Sequence, residues 1–363
     1  MKILVISGFF YPTNAPRAFR TTELVKEFVR QGHDVALYSP KQDFDYSGFY
    51  NDYKFRHIQY QEPLDVLSGH KNKLLHFWGR VLVYKMAYPH IKLLKILPEL
   101  LKSESTDYDI LITIAVPHQI HWAIGNMYKQ GYRMARKWVA DCGDPYMLSK
   151  STNRKKPFYF KRIEKRWCSY CDYITVPTTG SLDGYYPEFR KKIRIIPQAF
   201  NFDDIELDIY KKHSVPTFAF SGGFMSGKRD IRPFINKIEE IGVEYRLYVY
   251  THDMQFFKDY PHLIGKRIIL SEYIPRLELL KKLSTMDFLL NLENGTTVQT
   301  PSKLIDYCLT KRPILSIDSN NIDEKKIREF LAGDYKNELK IENVEQYNIK
   351  TVTHQFLSLC KNE

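Results

Sequence analysis

Apolar residues along this chain gather into short continuous runs of strand length, separated by longer stretches in which they recur every three or four positions. Lys2–Ser7 (KILVIS), His33–Ser39 (HDVALYS), Tyr108–Ala115 (YDILITIA), Trp138–Asp141 (WVAD), Asp172–Thr178 (DYITVPT) and Ile193–Phe200 (IRIIPQAF) are runs of the first kind. A run that is apolar throughout, rather than alternating, suits a parallel strand covered on both faces. Helical periodicity fills the gaps, as in Thr21–Gln31 ahead of Gly32, His121–Gln130 and Pro157–Cys171, with a helix and a turn expected over Ser181–Lys192. The alternation restarts after Pro216 with Thr217–Gly223 (TFAFSGG), Tyr245–Thr251, Lys266–Ile274, Met286–Leu292 and Ile314–Ile317 as strands. Helices are expected around Ile231–Ile241, Pro275–Thr285 and Pro301–Pro313, with charged helices and a C-terminal helix after them. The pattern predicts an α/β protein of two Rossmann-like, doubly wound parallel-sheet domains facing a cleft. Residues 1–200 form the first domain, 201–216 the linker and 217–345 the second domain, while 346–363 form a helix that packs back on the first. Residues 41–70 show no clear period.

The stretch from Asp287 to Ile317 reads strand, loop, helix, strand. Thr300 serves as N-cap and Pro301 as first helical residue, where its missing N–H costs nothing. The free amides near Ser302 and Lys303 then face the loop ENGTTVQT at the carboxyl end of a parallel strand, a place suited to phosphate. Lys303 adds a full charge, and Asp306, a turn further in, can accept hydroxyl hydrogen bonds. Phosphate together with hydroxyls suggests a sugar nucleotide. In the first half, Asn14, Arg17 and Arg20 sit on the loop after the first strand or in the helix it opens. His118 and His121 follow the strand ending at Ala115, and Asp141 and Asp144 follow the strand through Trp138. All lie at the edge where ligands of such sheets bind, although a core histidine and a Gly-Asp-Pro turn account for the same residues without a ligand.

Composition narrows the partners. Hydrophobic content of 44% and charge of 26% over 363 residues are those of an ordinary globular protein, but a net charge of +12 with 14% aromatic residues favours anionic partners. No recognised nucleic-acid module gathers that charge. Lys71–Lys102 mixes Leu, Phe, Trp, Val and Tyr with seven Lys or Arg and a single acid, Glu99, which reads as a membrane-surface element or an amphipathic helix pair broken near Pro89. The apolar stretch after Met1 is too short for a signal-peptide core, which argues against export, and five scattered cysteines, including the Cys168–Cys171 pair, suit a reducing cytoplasm. The glycine fingerprint of dinucleotide binding is missing, which weakens a dehydrogenase reading.

Several pieces of the chain, in this order, resemble the family-4 retaining glycosyltransferases of GT-B architecture: GFFYPTNAPRAFRTTELVKEFVRQGHDV, VPHQIHWAIG with WVADCGDPY, DYITVPTTGSLDGYYP with IRIIPQAFN, FSGGFMSGKRDIRPFI, YIPRLELLKKLSTMDFLLNL and TPSKLIDYCLTKRPIL. The resemblance spares only roughly 41–105. It implies that Gly223, Lys228, Arg229, Ser302 and Lys303 hold the donor diphosphate without a metal or other cofactor, and that Tyr273, Ile274 and Asp306 bind the nucleoside. It places His121 and His118 at the donor sugar, Asp141 and Asp144 beside them, and Asn14 and Arg17 on the acceptor side. The family's pair of glutamates would put its first member at Val298, which is not acidic, and Glu293 lies on the same loop at another spacing. The implied activity is transfer from a nucleotide sugar to a saccharide or polyprenyl-linked acceptor, as in bacterial surface-polysaccharide assembly. The implied location is cytoplasmic, with peripheral contact to the anionic inner face of the membrane. The rivals are a sugar-nucleotide 2-epimerase on the same fold and a non-enzymatic basic binder.

Overall fold

Ile3 and Val5 of strand β1 (Lys2–Ser7) point to one side of a sheet and Leu4 and Ile6 to the other, and all four are fully buried. That two-sided burial is what a continuous apolar run demands. The computed structural model describes residues 1–65, 67, 71–148, 156–293 and 302–361. The chain divides into two units, Met1–Phe200 with Gln346–Glu363, and Asn201–Glu345.

The first unit is built on β1, β2 (Asp34–Pro40), β3 (Arg56–Tyr60), β4 (Tyr108–Ala115), β5 (Ala135–Cys142), β6 (Tyr173–Val176) and β7 (Ile193–Ile195), all parallel in the order β3-β2-β1-β4-β5-β6-β7. The order reverses between β1 and β4, with Ser7 in register with Ile114, so the carboxyl ends of these two strands form the switch point where ligands of such sheets bind. The helices are α1 (Pro16–Arg30), α2 (Ser47–Asp52), α3 (Lys73–Met86), α4 (Leu93–Leu101), α5 (Gln119–Lys129), α6 (Phe160–Tyr170) and, from the chain's end, α11 (Ile349–Ser358). One face of the sheet packs on Leu24, Phe28, Ile349, Val352 and Phe356 of α1 and α11; the other packs on Trp122, Trp138 and Trp167 with α4 to α6.

Two local expectations differ from what the chain does. Residues 41–70 hold α2 and the edge strand β3, whose side chains are only half buried and so carry no strong apolar period. Ser181–Lys192 forms two short 3₁₀ turns, Thr179–Gly184 and Pro187–Lys192, in place of an α-helix. Gly184 packs so close to Pro145 that a Cβ would stand 2.1 Å from its Cγ, and Pro187 stops any continuation. The basic segment splits at Ala87, which takes a left-handed conformation (φ 55°), and the two halves behave differently. Helix α4 buries Leu93, Leu97 and Leu101 against α5, whereas α3 buries Gly79 alone. No described helix is long and apolar enough to cross a membrane.

The second unit repeats the design with β8 (Thr217–Ser221), β9 (Arg246–Tyr250), β10 (Ile268–Ser271), β11 (Phe288–Leu292) and β12 (Ile314–Ile317), parallel in the order β10-β9-β8-β11-β12. Its helices are α7 (Arg232–Ile241), α8 (Arg276–Leu283), α9 (Ser302–Leu309) and α10 (Glu324–Leu331). The switch point lies between β8 and β11. Residues 201–216 run without regular structure, and Asp287 fixes their end by accepting hydrogen bonds from Tyr210, His213 and the Thr217 amide.

Candidate functional site

In the second unit, the chain leaves β8 at Ser221, whose amide donates to the Tyr307 hydroxyl on α9 (2.8 Å). Gly222 follows with φ 136°, a conformation that only glycine adopts without strain, and it lies against Phe220 and the Lys303 side chain. Asp253 accepts from the Phe224 amide (2.8 Å) and stands beside Gly223, pinning the loop. A tight turn from Met225 to Arg229 comes next, closed by paired backbone bonds, with Lys228 exposed and Arg229 half buried. Lys303, near the start of α9, reaches into this corner. Its ammonium is buried, has no hydrogen-bond partner among the described residues and sits 4.6 Å from the Phe220 ring. Burial, then the neighbouring Arg229 guanidinium, push its pKa down to about 7. Loss of hydration destabilises a charged amine, and a second cation does so further. Arg229 also acts on Tyr273, which is half exposed and whose ring meets His252 edge-on at 4.2 Å. The corner therefore gathers Gly223, Arg229, Tyr273 and Lys303 into one cationic, partly desolvated recess.

The remaining second-unit residues are distributed more widely. Asp306 is held by Arg276 through two bonds to one oxygen (2.9 and 2.6 Å), and burial outweighs that pairing to raise its pKa. Ile274 packs against the apolar layer containing Leu283 and Tyr307. Glu293 accepts from Ser316 (3.0 Å), which itself accepts from Asn291 (2.8 Å). Thr300, Pro301, Val298, most of the loop ENGTTVQT and the Ser302 side chain lie outside the described residues.

In the first unit, Asp141 at the end of β5 is buried and fully engaged. Arg20 gives it two bonds (2.9 and 3.2 Å), Arg17 one (3.0 Å) and the Thr175 hydroxyl one (2.7 Å). Burial alone would raise its pKa, but the two arginines and Thr175 hold it below the ordinary value. Arg20 also donates to the Ile196 and Pro197 carbonyls, so this network joins α1, β5, β6 and the segment after β7. Asp141 thus braces the sheet edge with both carboxylate oxygens engaged, and Arg17 commits one nitrogen, Nη1, to it. His121 is likewise withdrawn. It is fully buried, with Nδ1 against the Thr113 hydroxyl (2.8 Å), Nε2 against the Cys142 sulfur (3.3 Å) and the Trp167 ring over it at 4.9 Å. Contact between His121 and a donor sugar is not available in this arrangement, because no ring nitrogen reaches the surface. His118 differs. Its Nδ1 is buried without a partner among the described residues, its pKa falls to about 4 through burial, and it borders a cavity of about 330 Å³. Tyr88, His90, Pro117, Asp144 and Tyr146 share that lining. Asn14 is exposed on the loop after β1.

Arg276, Asp253, Thr113 and Cys142 were not singled out by the sequence. Each acts through a partner distant along the chain, and nothing in the neighbouring residues announces it.

No protein-family profile matches this sequence, and no curated protein does. Solved structures do match along the whole chain. A glycosyltransferase from Rickettsia africae ESF-5 superposes with a TM-score of 0.63 at 12% identity, covering 99% of this chain and 97% of the other. The lipopolysaccharide outer core galactosyltransferase WaaB, in its apo form, gives 0.60 at 12% identity, covering 99% of both chains. A UDP-N-acetylglucosamine 2-epimerase described as putative, from Listeria monocytogenes, gives 0.52 at 13% identity, covering 99% of this chain and 88% of the other. At these identities the likeness establishes the fold, which is the GT-B type with two parallel-sheet α/β domains.

Proposed function

We propose that this chain is a glycosyltransferase that moves a sugar from a nucleoside diphosphate to a hydroxyl of a saccharide acceptor. The observation that carries the reading is the Lys303 ammonium, buried, without a hydrogen-bond partner and beside Arg229 at the switch point of the second sheet. A desolvated cation with no counter-ion is costly unless an anion arrives to pair with it. Arg229, Lys303 and the Gly223 amide suit a diphosphate, with Lys228 reaching in from the exposed turn, while the Gly222 amide is spent on the Tyr250 carbonyl (3.0 Å). Tyr273 borders the base, and Asp306 with Arg276 receives the ribose. The second unit is the donor-binding domain and the first the acceptor-binding domain.

In the reaction the acceptor oxygen bonds to the sugar C1 on the face from which the C1–phosphate bond breaks, giving retention. The acceptor proton passes to the departing phosphate, whose negative charge the cations stabilise without a metal. His118 orients the sugar or acceptor at the 330 Å³ cavity, with Asp144 at its rim. His121 holds its position through Thr113 and Cys142 rather than touching substrate.

The acceptor is lipid-linked. Helix α3 exposes Leu74, Phe77, Trp78 and Met86 with Lys73, Arg80 and Lys85 interleaved, and such a helix suits an anionic lipid surface. Surface-polysaccharide assembly on the inner face of a bacterial cytoplasmic membrane fits these features.

The test is a calorimetric panel of UDP, GDP, CDP and ADP sugars, followed by product analysis with saccharide acceptors. Lys303→Met and Arg229→Ala each lower turnover by about 10²-fold if they stabilise leaving-group charge. A 2-epimerase has a neighbour on the same fold. It would convert the nucleotide sugar with no acceptor present, and that control separates the two activities.

A further inference from the structure

Away from the second unit's cationic corner, the first unit brings together three groups that metals prefer. His118, His121 and Cys142 each offer a ligand atom, and these atoms all lie within 4.8 Å of one another. The three come from the segment that follows β4 into α5 and from the end of β5, the strand paired with β4. His121 stands in the first turn of α5 and His118 just ahead of it, after β4, while Cys142 closes β5, the neighbour of β4. All three are buried. The nearest pair, His121 Nε2 and Cys142 Sγ, is 3.3 Å apart, a spacing that two ligands of one ion adopt. The opposite nitrogen of His121 is already fixed by the Thr113 hydroxyl, which the Trp138 indole in turn holds (2.9 Å), the outer support that orients metal-bound imidazoles. The buried Nδ1 of His118 has no partner.

We infer that His118, His121 and Cys142 form a binding site for a thiophilic d¹⁰ ion, Zn²⁺ or Cu⁺. A soft thiolate with two imidazoles selects this class over Mg²⁺, Ca²⁺ or Mn²⁺. Binding exchanges the thiol S–H bond for an S–metal bond and releases that proton to solvent. Cu⁺ with one thiolate is neutral and satisfied by three ligands. Zn²⁺ keeps one positive charge and takes a fourth ligand from the cavity that His118 borders. The site does not depend on the donor-binding reading of the second unit; with an ion bound, His118 is its ligand and the ion's open position, rather than the imidazole, faces the cavity.

The full-length chain, stripped with a chelator, is titrated with Co²⁺ as probe, then with Zn²⁺ and with Cu⁺ under reducing, anaerobic conditions. One equivalent of Co²⁺ produces a thiolate-to-metal charge-transfer band that Zn²⁺ or Cu⁺ displaces, and the stronger competitor identifies the ion. Cys142→Ser abolishes the band, and His118→Gln, at the cavity edge, weakens it at least tenfold. X-ray absorption of the wild-type Zn²⁺ form shows one sulfur near 2.3 Å and imidazole nitrogens near 2.0–2.1 Å. That measurement decides the matter even if Cys142→Ser fails to fold. An oxygen-only shell, no band at one equivalent, or a band that survives Cys142→Ser overturns the site.

Discussion

At the scale of single residues, two groups carry charge where the fold disfavours it, and each makes a pH-dependent prediction. Lys303 has a folded pKa of about 7 against an ordinary 10.5. Between those values the unfolded chain binds more protons, so stability rises with pH from about 7 to 10.5. Lys303→Met should therefore be more stable than wild type at pH 6, by about 5 kcal/mol at about 1.4 kcal/mol per pH unit, read from denaturant melts, and the gap should close above pH 10. A bound diphosphate reverses the balance by favouring the ammonium form. Calorimetry of UDP binding near pH 8, in HEPES and in Tris, should register uptake of up to about one proton in wild type and none in Lys303→Met. Glu164 on α6 is the converse case. Burial lifts its pKa to about 7, and one of its oxygens accepts from the Met147 amide (3.2 Å). Here the folded state holds the extra proton, so stability falls as pH rises from about 4.5 to 7. Glu164→Gln should raise the melting temperature at pH 8, by up to about 3 kcal/mol in stability, and leave it nearly unchanged at pH 4.

At the scale of elements, close approach and exposure decide what each helix does. Gly125 lets α5 touch α6, since a Cβ there would stand 2.7 Å from the Cβ of Trp167 and 2.9 Å from its Cα. Gly125→Ala should force the helices apart and cost about 1–3 kcal/mol by chemical denaturation. Helix α3 buries almost nothing, with Phe77 58% and Trp78 53% exposed. If α3 meets lipid as proposed, replacing either with Ser should weaken binding to anionic vesicles by about tenfold and leave thermal stability unchanged, because each removes exposed apolar area and no buried contact. The strands were legible because burial on both faces writes an unbroken apolar run into the sequence, as in β1, β4 and β11. Strand β3 was not, since a half-buried edge strand between aromatic loops has no such run. The cationic corner was legible in part: Lys303 follows from a helix start and Arg229 from the family resemblance, but Lys303 also meets Phe220 on β8, far away in sequence. The network of Arg17 and Arg20 with Asp141, and the enclosure of His121 by Thr113, Cys142 and Trp167, join positions far apart along the chain. No local pattern encodes them, so the contacts that Arg17, Asp141 and His121 make within the fold were not legible.

At the scale of the whole molecule, the last helix belongs to the first unit. Ile349, Val352 and Phe356 of α11 are fully buried in its core, Gln31 bonds the Thr353 hydroxyl (2.9 Å), and the Arg20 guanidinium lies over the Phe356 ring at 5.1 Å. Three such side chains contribute about 1.5–3 kcal/mol each, a sum comparable with the total stability of a domain. Ending the chain at residue 345 should therefore unfold the first unit at ambient temperature, read as loss of its calorimetric transition, while the transition of the second unit persists. The path by which the chain returns has a further consequence. Phe200 and Asn348 form a parallel bridge, with the Phe200 amide on the Tyr347 carbonyl and the Ile349 amide on the Phe200 carbonyl. Departure and return are thus stitched together at one spot, and everything between them is, topologically, a cassette inserted into the first fold. A graft from another protein of this fold needs only two splices a strand's width apart, which makes this step the natural seam for building chimaeras.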